Sequence, residues 1–499
     1  MSGVGKTPNR TSQDTITHRI FVFFNFNPKL PMEKTTSSKE GTVSGEFERQ
    51  AVPSSHHKSW KKFLGMYAGE HAAGTEFVIG PLFLTAGVSA FDLIVGLLLG
   101  NFLAVLTWRY VTTPIATGER LTLYYKLEKI AGKKLVTGYN LANGLLFCFL
   151  AGAMITVSAT AVGIPFDMPM PALTDTVPNS LSWVLVVLTV GAVISIVAAR
   201  GYDTVAKFSN WAAPFMIAVF LIAGIVAANR LGVDSWSSLW AVWGEGSEPF
   251  PGQIKFTFWH VLFFAWFCNA AMHLGMSDLS VLRYADKNSV GWTTAAGMYV
   301  GHFMAWISAC LMFALYLKSP EASAIFASGG IPPVAPGPLA YEVVGIAGLI
   351  CVVIAGWTTA NPTIYRAGLA FQAIFPKSST VKVTLVTGGI ATIAGLFPAF
   401  AMKLLDFVAV YGFILAPIGA VIFFEHYFAD KMGFGKDYVM NKGLTFNWAV
   451  LAAWLISMAV FYSISVYFGI FLSFFTLPAW IACGLLFLVF SKKLQSQEK

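Results

Sequence analysis

Apolar stretches of about 20 residues recur along the chain from near Lys62 to near Phe490. A stretch of this length can cross a hydrocarbon core of roughly 30 Å as an α-helix. Gly, Pro and charged residues divide the pattern into twelve predicted helices, numbered α1 to α12 in chain order. They lie near residues 65–88, 91–113, 138–163, 181–199, 204–230, 255–280, 290–317, 341–373, 381–399, 404–428, 447–467 and 470–490. These runs are too long and too continuously apolar for a membrane β-barrel, so the predicted fold class is an all-α integral membrane protein.

Composition agrees with this fold class. Hydrophobic residues make up 56% of the 499 positions and charged residues 12%, whereas a soluble globular chain carries roughly 25% charged residues. The net charge of +8 arises mainly from Lys and Arg in alternate loops. These are Arg120, Lys126, Lys129, Lys133, Lys134, Arg283, Lys287, Lys377, Lys382, Lys431, Lys436 and Lys442. The positive-inside rule therefore places both termini in the cytoplasm, with a plasma or bacterial inner membrane as the expected location. Because topology explains the basic charge, no nucleic-acid partner is expected.

Four segments follow from the composition. Residues 1–57, rich in Ser, Thr, Lys and Glu, are predicted to form a disordered cytoplasmic tail. Residues 58–430 are predicted to form a ten-helix core, residues 431–490 two additional transmembrane helices, and residues 491–499 a second cytoplasmic tail. The apolar patch that precedes Met32 is too short for a secretory signal, and we hypothesise that translation starts at this methionine. Mass spectrometry of the native N-terminus would reject that hypothesis if it found earlier residues.

A weak internal repeat relates α1–α5 to α6–α10. Five residues of α5 recur in α10 at a constant offset of 203 positions. The pairs are Asp203 and Asp406, Val205 and Val408, Ala206 and Ala409, Ala213 and Ala416, and Pro214 and Pro417. Five helices per half invert the second half relative to the first. In such inverted repeats the first helix of each half is interrupted near mid-membrane, where freed backbone groups bind ligands. We therefore predict that α1 and α6 are broken helices.

Ionisable and amide side chains are concentrated where the two breaks are predicted. Helix α1 contains Glu70 and His71 beside several glycines, and α6 contains Asn269 and His273 one helical turn apart. A charged side chain at the bilayer centre costs at least about 2.5–3.5 kcal/mol, so such residues are functional by default. We predict that these four residues line a substrate cavity. The alternative is that Glu70, His71 and Glu76 form a purely structural polar cluster between helices. His302 of α7 is interpreted as a packing residue. Asp278 and Arg283 are interpreted as a charge pair at the cytoplasmic end, with a role as a gate as the alternative.

Helix α8 contains two adjacent hydroxyl groups next to a helix-breaking proline, in the stretch Ala355–Pro362. Hard cations such as sodium prefer oxygen ligands. The Thr358 and Thr359 hydroxyls, a carbonyl near Ala355 and carbonyls of the broken α1 are together predicted to bind sodium. The alternative is that each hydroxyl bonds a carbonyl of its own helix. No His-Glu-x-x-His or similar ligand spacing occurs, so no enzyme, catalytic residue or cofactor is expected.

The sequence Trp357–Pro362 resembles the Trp-Ser/Thr-Thr-Asn-Pro stretch of the nucleobase:cation symporter-1 family, which includes hydantoin, cytosine and purine permeases. The segments that follow are also similar to that family: the pair Phe375-Pro376, then α9, then a helix α10 that contains Ala416–Gly419. The resemblance implies a LeuT-like five-plus-five inverted repeat with broken helices 1 and 6. It further implies a sodium site at the positions matching Ala355, Thr358 and Thr359, near the backbone carbonyl of Gly69. The inserted Ala360 departs from the commoner spacing.

The substrate residues of that family do not carry over in the same way. Hydantoin-type members hold a planar ring between Trp residues of helices 3 and 6, whereas the matching stretches here read Phe147–Phe149 and Phe267–Asn269, with Trp266 close by. Glu70 stands where a neutral Gln is typical of the family. A carboxylate there would suit an amine or a ring NH donor.

The resulting expectation is a monomeric sodium symporter, in a lipid bilayer, for a small polar nitrogen-containing solute such as a nucleobase. One alternative is a proton-coupled symporter of an amine or amino-acid-like solute, with Glu70 or His71 as the proton carrier. The lack of a Lys or Arg in the middle of α5 to replace the cation favours sodium. The alternative of another class is a channel, although no filter ring is evident in the sequence.

Overall fold

The computed structural model describes residues 47–171, 175–399 and 404–496. Within these ranges the regular structure is helical, apart from an isolated bridge between Lys58 and Ala285. The predicted all-α class is confirmed. The hypothesis about Met32 and the greater part of the predicted N-terminal tail lie outside the described residues.

The helices follow the predicted order. Their bounds are Trp60–His71 (α1a), Glu76–Thr85 (α1b), Ala90–Thr107 with Trp108–Thr112 and Thr113–Glu119 (α2), Lys133–Val162 (α3), Leu181–Ala198 (α4), Tyr202–Arg230 (α5), Phe258–Phe267 (α6a), Ala270–His273 and Leu279–Leu282 (α6b), Asn288–Thr293 with Ala296–Ala305 and Trp306–Tyr316 (α7), Ile346–Ile374 (α8), Thr380–Ala394 (α9), Leu404–Met432 (α10), Trp448–Phe468 (α11) and Thr476–Ser496 (α12). Shorter helices lie between them, among them Leu123–Ala131, Pro320–Ala327 and Pro336–Val344.

In the described ranges, nine helices are long and apolar enough to cross a membrane, judged by length and composition. The shorter apolar helices α1b, α6a and α9 add to these. Large apolar side chains on the outer helices are exposed rather than buried, for example Leu185, Ile222 and Val489. Such a surface suits lipid, and the chain is a multi-pass membrane protein.

The two breaks fall at equivalent positions of the repeat. The first helical segment of α1 ends at His71, and the first of the two segments of α6b ends at His273. Residues 274–278, between the two segments of α6b, are the break in α6. Helices α5 and α10 are each 29 residues long and contain Pro214 and Pro417. The predicted inverted repeat with broken helices 1 and 6 is therefore confirmed. Helices α3 and α8 pack along each other beside the breaks, α1a packs on α5, and α6a packs on α2.

Two boundaries differ from the prediction. Helix α8 begins at Ile346, because Gly345 at φ 60° ends a separate helix, Pro336–Val344, that the apolar pattern had merged with it. Residues 47–57, the end of the predicted tail, pack against the helical core: Val52 is buried and its N–H bonds the Arg120 carbonyl at 3.1 Å. Burial of the Val52 side chain in the core therefore anchors residues 47–57.

Candidate functional site

The break in α1 leaves backbone groups without helical partners. The last helical bond of α1a runs from the Ala72 N–H to the Ala68 carbonyl at 2.9 Å, and α1b begins with the bond from the Val78 N–H to the Thr75 carbonyl at 2.8 Å. Among the residues that the structure describes, the carbonyls that follow Ala68 in α1a, including that of Gly69, therefore accept no hydrogen bond from the helix backbone. A methyl group at Gly74 would come within 3.3 Å of the Gly356 nitrogen, so glycine allows the break to approach α8 closely.

The break in α6 is held by side chains from other helices. Met276, in the break, has φ +62°, an unusual value for a residue other than glycine. The Thr112 hydroxyl donates to the His273 carbonyl at 2.6 Å, and Trp480 Nε1 donates to the Leu274 carbonyl at 3.1 Å. Carbonyls freed by the break are thereby satisfied by α2 and α12.

A cavity lies between the two breaks. Its walls come from α1, α3, α6, α7, α8 and α10, and it contains carboxyl, imidazole, amide and hydroxyl groups together with apolar side chains. The lining residues are Glu70, His71, Thr75, Glu76, Ile79, Leu150, Met154, Cys268, Asn269, Met272, His302, Thr359, Thr363, Val408 and Tyr411. This lining contains two carboxyl groups and no Lys or Arg.

A buried group of three charges, which we call the charge triad, connects α1, α6 and α8. It consists of Glu70, Asp278 and Arg366, whose side chains are at most 1% exposed. Arg366 Nη1 donates to Glu70 Oε1 at 2.5 Å and Nη2 donates to Glu70 Oε2 at 3.2 Å. The same Nη2 donates to Asp278 Oδ1 at 2.7 Å. One guanidinium is thus shared by two carboxylates.

Asp278 also accepts two neutral hydrogen bonds. The Tyr67 hydroxyl donates to Oδ2 at 2.9 Å and Trp108 Nε1 donates to the same oxygen at 2.7 Å. The interpretation of Asp278 as the partner of Arg283 is therefore corrected, because Asp278 pairs with Arg366. Arg283, at the other end of the short helix Leu279–Leu282, instead donates to the carbonyls of Phe47 and Ser280.

Of the residues predicted to bind sodium, Thr359 of α8 contacts the backbone of α1. The Thr359 hydroxyl lies 2.8 Å from the Glu70 carbonyl and 3.2 Å from the Ala355 carbonyl. The Thr358 hydroxyl lies 3.0 Å from the same Ala355 carbonyl. Gly69, one residue before Glu70, packs against the Ser209 carbonyl of α5. The α8 oxygens therefore lie near the Glu70 carbonyl of α1, whereas in the part of the chain that is described no hydrogen bond joins the predicted Gly69 carbonyl to them. Each hydroxyl also makes the bond within its own helix that was the alternative interpretation.

Three of the four residues predicted to line a substrate cavity do so. Glu70, His71 and Asn269 line the cavity, whereas His273 does not. His273 is buried against Trp108, with ring centroids 4.7 Å apart, and its Nε2 lies 3.0 Å from the Trp266 carbonyl. The Glu70 carboxylate is occupied by Arg366, so its oxygens are only partly available to a ligand.

Several buried polar atoms around the cavity have no hydrogen-bond partner within the described residues. They are His71 Nε2, His302 Nδ1 and the Tyr411 hydroxyl. Buried polar groups are normally satisfied, so unsatisfied groups facing a cavity point to an occupant. No group of three or more His, Cys, Asp or Glu arranged to hold a metal ion occurs in the described ranges.

Sequence reasoning assigned no role to Arg366 or Tyr411, considered Glu76 only as part of a structural polar cluster, and interpreted His302 as a packing residue. An arginine within an otherwise apolar helix was the available signal for Arg366. Glu76 was visible as an acidic residue at the α1 break, but its distance from Arg366 could not be judged from the sequence. The sequence alone does not distinguish Tyr411, which lines the cavity, from a tyrosine that faces lipid.

No protein-family model and no curated protein sequence matches the chain. Solved structures do match its fold. Mhp1, a nucleobase-cation-symport-1 family transporter in a closed conformation with bromovinylhydantoin bound, aligns with a TM-score of 0.66 at 14% identity, over 90% of this chain and 94% of that chain. The inward-facing conformation of Mhp1 gives 0.62 at 14% identity over 93% and 96%. A Na⁺-coupled sialic acid symporter in a substrate-bound outward-open state gives 0.61 at 15% identity over 90% and 91%.

These likenesses confirm the resemblance seen in α8 at the level of the fold. They also confirm the LeuT-like inverted repeat, because the matches cover nearly the whole of both chains. At such low identity the neighbours' substrates and ions remain properties of the neighbours.

Proposed function

We propose that the protein is a secondary active transporter that couples the movement of a cation, sodium, to the uptake of a small polar nitrogen-containing solute such as a nucleobase. The observation that supports this most directly is the cavity enclosed between the two broken helices. Inverted-repeat transporters place their substrate there, and alternating access moves the two halves around it. The fold shared with cation-coupled symporters supports the same proposal.

The charge triad supports coupling to a cation. Glu70 and Asp278 together contribute two negative charges and Arg366 one positive charge, all of them buried. When all three groups are ionised, one negative charge remains uncompensated in a region of low dielectric constant. A bound cation next to the Glu70 backbone would balance that charge.

The oxygen atoms at the contact of α1 and α8 support sodium as the coupling ion. The Thr358 and Thr359 hydroxyls and the Ala355 carbonyl would be ligands, with a carbonyl of α1 at Gly69 or Glu70. All of these are neutral oxygen ligands of the kind that hard cations prefer. The two hydroxyls lie 2.8–3.2 Å from the Ala355 and Glu70 carbonyls, and this proximity of oxygen atoms supports the proposed site.

The lining of the cavity supports a neutral or cationic solute that carries N–H donors. Asn269 offers an amide oxygen as an acceptor, and His71 and Tyr411 offer polar atoms that have no other partner among the described residues. The remaining wall is aliphatic or thioether, from residues such as Leu150 and Met154. An anionic solute would find no Lys or Arg in this lining, and the net negative charge of the ionised charge triad would repel it.

Proton coupling is the second candidate mechanism. Two histidines, His71 and His302, line the same cavity with their ring centroids 4.9 Å apart. A histidine changes its charge near physiological pH. In this alternative the solute would be an amine or amino-acid-like compound. A channel would instead give ion currents without stoichiometric solute flux, so flux measurements separate the two classes.

Solute binding is tested first on the purified protein. Thermal stabilisation is measured with adenine, cytosine, hydantoin and ethylamine, each with sodium or with N-methylglucamine as the only cation. A ligand that binds the folded state raises the apparent melting temperature. We expect at least one solute to stabilise the protein only when sodium is present. If stabilisation depends on pH and not on sodium, the coupling ion is the proton.

The sodium site is tested by uptake into proteoliposomes. Thr359→Val and Thr358→Val remove one oxygen ligand each at nearly constant volume, and we expect each to raise the sodium concentration for half-maximal uptake at least about tenfold, for a loss of about 1.4 kcal/mol. The matched control is Thr387→Val, because this buried threonine of α9 bonds its own helix at Val383. Unchanged sodium dependence in both variants would show that the ion binds elsewhere.

We further propose that the protein acts in a plasma or inner membrane with both termini in the cytoplasm, as the distribution of Lys and Arg predicts. The loop that contains Ser323 would then face outward, and the loop that contains Met440 would face the cytoplasm. Both residues are exposed. An impermeant maleimide should label Ser323→Cys on intact cells and Met440→Cys only after permeabilisation. The opposite pattern would invert the topology.

A further inference from the structure

Glu76 is a buried carboxyl group that the proposed function leaves unused. It is the first residue of α1b, it is 2% exposed, and its side chain lines the cavity. The Thr75 hydroxyl donates to Glu76 Oε1 at 3.2 Å, and Trp306 Nε1 of α7 donates to Oε2. Both carboxyl oxygens are therefore held in place by neutral donors.

The groups that face Glu76 differ from those around the charge triad. From α6 it is faced by Cys268 and Asn269, and from α7 by Trp306 and, behind it, His302, whose ring stacks on Trp306 at 4.2 Å. Its own helix and α10 add His71, Glu70 and Tyr411 to the same cavity. Within the described ranges no Lys or Arg forms an ion pair with Glu76, whereas Glu70 and Asp278 share Arg366.

An ionised carboxylate without a cation is unfavourable at this position. Charged side chains in the bilayer centre cost at least about 2.5–3.5 kcal/mol. Binding of one proton converts the carboxylate into a neutral acid and removes that cost. The anion is nevertheless attainable for a short time, because two donors and the N-terminus of α1b would stabilise its charge.

We propose that Glu76 is a proton-binding site through which the transporter couples solute uptake to an inward proton flux, in addition to the sodium site. The carboxylate accepts one proton from the outside when the cavity is open outward, and the neutral acid releases it to the cytoplasm when the cavity opens inward. This proposal rests on the proposed transport function and gives that cavity a second coupling ion. The Glu76 carboxyl group is not among the proposed sodium ligands, so the two ions do not compete for the same atoms.

The protonation of Glu76 is tested without any solute. Infrared difference spectra of the purified full chain, in H₂O and D₂O at neutral pH, report the C=O stretch of protonated carboxylic acids. We expect this band to lose one component in Glu76→Gln and to be unchanged in Glu321→Gln, which removes an exposed carboxyl group. If Glu76→Gln leaves the band unchanged, Glu76 is ionised at neutral pH and the proposal is wrong. An ionised Glu76 would instead be the counter-ion of a cationic solute.

Coupling is tested in proteoliposomes with the solute found in the stabilisation panel. One coupled proton adds about tenfold to solute accumulation per unit of pH gradient. Glu76→Gln mimics the protonated acid, so we expect it to lose this tenfold factor and to retain solute exchange at zero gradient. Glu76→Asp is expected to recover part of the response, which distinguishes a titrating carboxyl group from a merely structural one.

The outcomes separate the two proposals. If the wild type exchanges no solute of the panel, the transport function fails, whereas the infrared result for Glu76 stands on its own. If the wild type transports and Glu76→Gln keeps the full response to the pH gradient, proton coupling through Glu76 is overturned and the transport function is retained.

Discussion

Arg366 is the residue whose removal should disturb the site most. Its guanidinium is fully buried and is the shared partner of Glu70 and Asp278. Removing one partner of a buried pair leaves an uncompensated charge, which costs about 3–5 kcal/mol. We therefore expect Arg366→Met to lower the melting temperature of the detergent-purified protein strongly. Arg366→Lys should also lower it, because an ammonium cannot reproduce the forked contact with both carboxylates.

The control for this prediction is Arg230→Met, at the end of α5, where the guanidinium donates to the Glu342 carbonyl at an exposed site. Its melting temperature should stay close to that of the wild type. Adding Glu70→Gln and Asp278→Asn to Arg366→Met should restore part of the lost stability, since no buried charge then lacks a partner. Equal stability of Arg366→Met and the wild type would mean that the triad is not ionised.

The residue scale also shows where sequence reasoning ends. Glu70, His71 and Asn269 could be identified because ionisable and amide groups inside apolar runs are conspicuous. Their partners could not, since Glu70 and Arg366 are separated by 296 positions and their contact depends on how α1 and α8 pack. His273 was grouped with the cavity on helical spacing, but the turn at Asn269 interrupts that spacing.

At the scale of elements, a broken helix needs partners for its freed carbonyls. The Leu274 carbonyl in the α6 break accepts a hydrogen bond from Trp480 of α12, which is 6% exposed. Helix α12 lies outside the ten repeated helices, so this bond gives it a structural role in the core. Trp480→Phe keeps most of the packing and removes the donor, and a buried acceptor left unpaired costs about 1–3 kcal/mol.

We expect Trp480→Phe to lower the melting temperature and to weaken stabilisation by the solute, because the α6 break forms one wall of the cavity. The matched control is Trp448→Phe at the start of α11, where the side chain is 69% exposed. That substitution should change neither quantity. If the two variants behave alike, the bond from α12 does not support the break.

The elements themselves were largely predictable. The lengths of the apolar stretches predicted the order of the helices. The constant offset between matching residues of α5 and α10, such as Pro214 and Pro417, predicted the internal repeat. The separate helix Pro336–Val344 was missed, because an apolar pattern continues across Gly345 and a glycine alone does not fix a helix end. The bond between α6 and α12 has no local signal, since it joins residues 206 positions apart.

At the scale of the whole molecule, a second buried charge cluster joins the two halves of the repeat at the predicted cytoplasmic side. Lys126, in the short helix Leu123–Ala131, has a side chain that is 1% exposed. Its Nζ lies 3.3 Å from Glu119, 3.1 Å from Glu425 of α10 and 3.0 Å from Asp437. The connection between α2 and α3 is thus fastened to α10 and to the segment that follows it.

The charge state of Lys126 follows from these contacts. Burial by itself lowers the pKa of the ammonium, but Glu425, Glu119 and Asp437 outweigh it and raise the pKa of Lys126 above its ordinary value. A lysine whose pKa is raised by folding contributes stability below its unfolded pKa and loses it only as the pH rises through the folded value. The ammonium of Lys126 therefore stays charged at neutral pH, and the cluster loses stability in strongly alkaline solution as Lys126 gives up its proton, and in acid as its carboxylate partners take up protons.

We expect Lys126→Met to lower the melting temperature at neutral pH by leaving the carboxylate of Glu425 buried without its cation, at a cost of about 3–5 kcal/mol. The difference from the wild type should shrink on acidification, because a carboxyl group that takes up a proton no longer needs a cation. Lys436→Met is the control, since its pair with Asp430 is largely exposed and such pairs contribute at most about 1 kcal/mol. Melting curves of the wild type and the two variants, recorded from neutral to acidic pH, measure these differences in melting temperature. If the loss of melting temperature in Lys126→Met persists unchanged in acid, lost packing and not lost charge pairing weakens the contact between the two halves of the repeat.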